Sequence, residues 1–107
     1  MKHEIKKYTY RIEWSEDDQA HIARCLEFPS LAAHGNSPEK ALKEIETVVT
    51  ESVKWIEEEG GMVPEPLGAR HYKGNITLRV PPEVHRTLAI LSAEQGVSVN
   101  QLILSRL

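Results

Sequence analysis

The stretch GNITLRVPPEVH, residues 74–85, constrains this chain more than any other. Ile76, Leu78 and Val80 alternate with Asn75, Thr77 and Arg79, the period-two pattern of a strand with one apolar face, and the run enters a helix at Pro82 without a loop. A single strand near the end of a small chain leaves its backbone groups without partners. The two helices beyond it supply none. Val84, Leu88 and Leu91 give the first helix one apolar side, and Gln95-Gly96 ends it. Ser98 and Gln101 have capping-box spacing for a second helix, with Val97 placed to staple onto Leu102 and an apolar face of Val99, Leu102, Ile103 and Leu107. Residues 74–107 fall below the roughly 40 that a chain without a disulfide or metal usually needs to fold alone. The expected solution is antiparallel pairing of this strand with the same strand of a second copy, above the helices of both.

Upstream the pattern differs. Tyr8 to Trp14 alternates as a half-buried strand, Ser15 to Gln19 reads as a turn, and Ala20 to Leu26 reads as a second, more central strand of a hairpin. Phe28-Pro29-Ser30 breaks that run, and Leu31 to His34 is expected as a short third strand closed by Gly35-Asn36. Ser37, Pro38 and Glu39 then form a helix start: a side-chain acceptor, a residue that needs no donor, and an anion at the positive end of the dipole. Ala41, Leu42, Ile45, Val48, Val49, Val53 and Ile56 keep helical spacing to Glu59, and Gly60-Gly61 stops the helix. Residues 1–63 are therefore expected as one domain, 64–73 as a proline-containing linker and 74–107 as a second domain.

Charge divides the same way. Nine Lys or Arg stand against fourteen Asp or Glu up to Arg70, a net of −5, and four against two from His71 onward, a net of +2. An acidic part suits a basic protein surface and a mildly basic part suits phosphate. No apolar run approaches the roughly 18 residues of a membrane span, so no membrane is expected and the cytoplasm is the expected compartment. Cys25, the single cysteine, is expected as a buried strand residue.

The strand-helix-helix segment resembles the ribbon-helix-helix family of DNA-binding proteins, whose two-stranded ribbon enters the major groove. By position, the resemblance makes Asn75, Thr77 and Arg79 the base readers. Their chemistry suits adenine, thymine and guanine respectively. The amides at the start of the second helix, with Ser98, Val99 and Asn100, correspond to a phosphate clamp, although capping explains Ser98 equally well. A helix-turn-helix is the rival reading. Its second helix would offer Asn100, Gln101, Leu104 and Ser105 to DNA, with no Arg or Lys among them.

Over nearly its full length the chain resembles HicB antitoxins with a ribbon-helix-helix tail. The segments LEFPSLAAHGNSPEKALKEIE and GNITLRVPPEVHRTLAILSAEQGVSVNQLI carry the likeness. Two features depart from the family: Ser30 stands where glycine is common, and the last helix is short. The resemblance implies an α+β fold, with a partial ribonuclease H-like antiparallel sheet and one helix, then a ribbon-helix-helix that dimerises through its strand. It further implies neutralisation of a HicA-like mRNA-cleaving toxin by covering its RNA-binding face, and repression of the shared operon through operator DNA. Trp14, Glu16, Asp17 and Asp18 are candidate toxin contacts, and Trp14 has a core role as an equal alternative. A stand-alone ribbon-helix-helix repressor with a ligand- or metal-sensing amino-terminal domain is the second reading; His3, His21, His34, His71, His85 and Cys25 lack the spacing of a ligand set. Enzymatic function is not expected, because Glu13, Asp17 and Asp18 gather at one turn without a further carboxylate to complete a metal site. No cofactor is expected.

Overall fold

The computed structural model describes residues 4–107, so His3 of the metal-sensing reading lies outside the described residues. The chain divides into two compact units, one running to Tyr72 and the other Lys73–Leu107. No described helix is long and apolar enough to cross a membrane.

The first unit is an antiparallel sheet of β1 (Tyr10–Ser15), β2 (Ala20–Cys25) and β3 (Phe28–Gly35) in that order, with α1 (Pro38–Glu58) against one face. This arrangement fits a partial ribonuclease H-like sheet. A single 3₁₀ turn, Ile5–Lys7, precedes β1, so Tyr8 sits before the strand and not within it. β1 and β2 pair from Tyr10↔Cys25 to Ser15↔Ala20. β3 starts earlier than the sequence pattern suggests, taking in Phe28, Pro29 and Ser30, because an edge strand tolerates a proline that donates no hydrogen bond. The register shifts between Arg24 and Cys25.

The helix is sited by its ends. The Ser37 hydroxyl accepts from the Lys40 amide at 3.2 Å, with Pro38 in the first turn. Ala41, Ile45, Val49 and Val53 recur at a spacing of four and are buried against Tyr8, Ala23, Cys25, Phe28 and Ala33. Tyr8 and Phe28 meet edge to face at 5.3 Å. The joint between β3 and α1 requires Gly35, since a Cβ there would stand 2.3 Å from the Ala41 nitrogen.

The second unit contains α2 (Pro82–Gln95) and α3 (Val99–Leu104), joined through Gly96 in the left-handed conformation at φ 68°. Ser98 and Gln101 form the capping box: the Gln101 amide donates to Ser98 Oγ at 3.0 Å, and the Ser98 amide donates to Gln101 Oε1 at 2.9 Å.

Here the sequence expectation is corrected. Among the described residues of Lys73–Leu107 there is no strand; residues 75–80 belong to no helix or strand and make no backbone hydrogen bond. The alternation of Ile76 and Leu78 encodes an amphipathic segment, but a strand exists only when a neighbouring backbone completes its hydrogen bonds, and nothing in the chain does so. Ile76 is 90% exposed and Leu78 61%, so the apolar face covers nothing. The ribbon-helix-helix fold and the homodimer through the carboxyl-terminal strand are therefore not features of this chain.

Candidate interaction surfaces

Three places gather polar chemistry or exposed apolar surface. The first is the turn between β1 and β2. Trp14 alternates along β1 with Tyr10 and Ile12, which pack on the core, and is itself 49% exposed. Its ring meets the His21 ring edge to face at 5.2 Å, and its indole N–H donates to Glu16 Oε2 at 2.7 Å. Ser15 Oγ donates to Asp18 Oδ2 at 2.9 Å and accepts from the Asp18 amide at 3.2 Å; Gln19, at φ 50°, closes the turn by donating to the Glu16 carbonyl at 2.8 Å. The structure thus brings Trp14, Glu16 and Asp18 into one ordered hydrogen-bonded turn, with Asp17 exposed at its tip. Trp14 is not in the buried core.

The second place has no signature in the sequence pattern. Glu27, in the tight turn between β2 and β3, is only 8% exposed. Its carboxylate accepts from the Thr9 amide at 2.9 Å, the Thr9 hydroxyl at 3.0 Å and the Leu67 amide at 2.8 Å. The Tyr8 hydroxyl adds a bond to the Pro64 carbonyl at 2.6 Å. Together they fasten the strap that leaves α1, residues 62–69, to the start of the sheet. Burial disfavours the Glu27 carboxylate, but the amides of Leu67 and Thr9 outweigh that cost and hold the group below the ordinary glutamate value. Between the strap and the Ile5–Lys7 turn lies an open cleft of about 630 Å³, lined by Tyr8, Val63, Pro64 and Pro66 with Lys7 and Arg70 among its charged residues. Cys25 lies fully buried beside Glu27, and burial pushes its thiol up to about 11, which makes it a poor nucleophile.

The third place is the second unit. Asn75, Thr77 and Arg79 are exposed, as are Ile76 and Leu78 between them, so the structure separates no reading face from a packing face. At the start of α3 the Ser98 hydroxyl and amide are both used by the capping box, leaving the first-turn amides of Val99 and Asn100 without an intrahelical acceptor. Leu102 is the only buried hydrophobic residue of the unit, whereas Val84, Ile90, Leu91, Val97, Leu104 and Leu107 are exposed. Leu88, Leu91, Leu102, Ile103 and Leu107 border an apolar groove of about 250 Å³.

Comparison with known families finds a match to the HicB family over residues 57–107, just under half of the chain. No curated protein and no solved structure gives a match. The matched residues run from the end of α1 through α3 and contain two helices and no strand. The expectation of a HicB antitoxin with a ribbon-helix-helix tail is corrected accordingly: the likeness is confined to that segment and the ribbon is absent from it. Operator binding through a ribbon falls with it, because that mechanism needed the paired strands, and neither the fold nor the family match supports a HicA-like toxin or operator DNA as a partner. The stand-alone ribbon-helix-helix repressor fails for the same reason. Its metal-sensing variant gains nothing from the fold, since among the described residues no three His, Cys, Asp or Glu side chains are placed to hold an ion.

Proposed function

We propose that this chain is a two-part binding protein, in which the α/β unit is self-supporting and the second unit, Lys73–Leu107, is completed by a macromolecular partner. One observation carries the reading: the second unit buries a single hydrophobic side chain, Leu102, and leaves more than half of Ile76, Leu78, Ile90, Leu104 and Leu107 exposed. An apolar surface of that extent on so short a segment is the usual mark of a macromolecular interface. The HicB-family match over residues 57–107, which includes this unit, supports treating the segment as a recurring piece with a shared role.

In this reading residues 75–80 and the apolar groove meet the partner together. Asn75, Thr77 and Arg79, with Ser98, Val99 and Asn100, are the polar contacts we assign to that surface. Trp14, Glu16, Asp17 and Asp18 are assigned to a separate protein contact on the first unit, where a tryptophan already held by a hydrogen bond loses little freedom on binding. Residues 64–73 are assigned as the connector between the two functions. The cytoplasm is the compartment proposed, where a free thiol such as Cys25 is the ordinary state.

Calorimetric unfolding of the full chain tests the reading. One cooperative transition from the α/β unit is expected, with the helical signal of the second unit lost earlier and over a broad range. A single transition that includes both units in dilute solution would contradict it.

A further inference from the structure

β3 is an edge strand left open. It pairs with β2 on one side, and no backbone hydrogen bond joins residues 29–36 to any other described segment. Native sheets guard such an edge with charge, proline or a bulge. β3 has Pro29 and a register shift only at its start, then Ser30, Leu31, Ala32 and Ala33, with no ionisable residue before His34. The strand is also complementary to itself. Antiparallel self-pairing about a two-fold axis at Ala32 sets Ser30 opposite His34 on the open face of the sheet, and Leu31 opposite Ala33 on the face that packs against α1. Polar then meets polar and apolar meets apolar.

The helix above that edge has an uncovered flank. α1 packs on β3 and β2 more than on β1. With Ala41, Ile45, Val49 and Val53 turned to the sheet, the 100° step per residue puts Leu42 and Glu46 on one flank. That flank faces the Ile5–Lys7 turn, since Glu46 pairs with Lys6 at 3.7 Å, and the Tyr10 hydroxyl ties the turn to β1 by donating to the Ile5 carbonyl at 2.8 Å. The same step puts Val48 and Trp55 on the other flank, on the β3 side. Val48 is half-buried yet outside the core cluster, and Trp55 is 63% exposed. Glu44, exposed, is the nearest charge along the helix; Glu51, Glu58 and Lys40 turn further from the buried stripe, toward solvent.

We propose that two copies of this chain associate through their first units, β3 against β3, into one six-stranded antiparallel sheet with both α1 helices on the same face. The layer above the edge selects this occupant. A lone extended segment would lie in the plane of the sheet and leave Val48 and Trp55 bare, whereas a second copy adds a strand and, above it, a helix whose own Val48 and Trp55 need the same cover. The interface uses no residue of Lys73–Leu107, so it does not depend on how the second unit is completed.

The test uses the full-length, nitrogen-15-labelled chain. Between ~10 μM and ~1 mM the amides of Ser30 to His34 and the Trp55 indole should shift with concentration, and sedimentation should show a dimer forming. Ala32 is exposed, so a longer side chain there leaves the fold intact. Ala32→Lys sets like charges against each other at the axis and should weaken association at least about tenfold. Unlabelled Ala32→Glu added to labelled Ala32→Lys should bring the shifts back, while unlabelled Ala32→Lys should not. Trp55→Ala should weaken association about tenfold. A monomer up to ~1 mM, shifts confined to Lys73–Leu107, association of Ala32→Lys equal to that of the native chain, or a mixture that restores nothing would each overturn the proposal. Unchanged association in Trp55→Ala would overturn it too, since the helix layer that selects a second copy would then take no part.

Discussion

Replacing Glu27 by glutamine keeps shape and volume while removing the charge and one acceptor. The carboxylate receives four donors, from the Thr9 amide, the Thr9 hydroxyl, the Leu67 amide and, at 3.5 Å, the Cys25 thiol. An amide side chain has one oxygen, so whichever way it is turned, its NH2 group faces a donor on the other side. A hydrogen bond to a charged group contributes roughly 1.5 to 3 kcal/mol, and a buried donor left unsatisfied costs a similar amount. Glu27→Gln should therefore destabilise the first unit by about 2 to 3 kcal/mol at pH 7, or roughly 10 to 20 °C for a unit of this size. The pH dependence fixes the cause. Because folding lowers the Glu27 pKa, its contribution is complete above the unfolded value and is lost as pH falls through the folded one. Urea unfolding followed by tyrosine and tryptophan fluorescence at pH 7 and near pH 3 measures both effects. The gap between native chain and variant should be wide at pH 7 and narrow in acid. Equal stability at pH 7, or a gap that does not change with pH, would refute the clasp as described.

The geometry sets three further outcomes. Gly35→Ala should cost more than about 2 kcal/mol, because the new methyl meets backbone at Ala41 and not a movable side chain; a thermal melt checks it, and an unchanged midpoint would contradict the close approach. Cys25 should react with a thiol reagent at pH 8 only at a rate set by unfolding, since the thiol is fully buried and pushed up to about 11. Brief trypsin treatment should cut after Lys73 and Arg79 in the exposed, unpaired segment before it cuts within the first unit, as mass spectrometry would show.

The first unit was largely legible because its signals are local. Ser37 and Pro38 mark a helix start by chemistry confined to one turn, and the spacing of Ala41, Ile45, Val49 and Val53 declares the buried stripe whatever it packs on. The Glu27 clasp was not legible: its partners Thr9 and Leu67 lie 18 and 40 residues away, and a glutamate in a tight turn reads as solvated. The lone strand misled for a related reason. Alternation at Ile76 and Leu78 states which side chains belong together but says nothing of where a pairing backbone comes from. The helices beyond it are placed by Pro82, Gly96 and Ser98, yet their apolar faces have the pattern of a core, while the structure leaves most of them uncovered.

Hydrogen exchange of the full chain in dilute solution addresses the central claim most directly, that the second unit is completed by a partner and not by itself. Amides in the middle of α1, around Ile45 and Val49, should exchange only on global unfolding, while those of α2 around Leu88 and Leu91 should exchange within a few factors of the unprotected rate. Protection of α2 equal to that of α1, in a chain shown to be monomeric, would contradict the account.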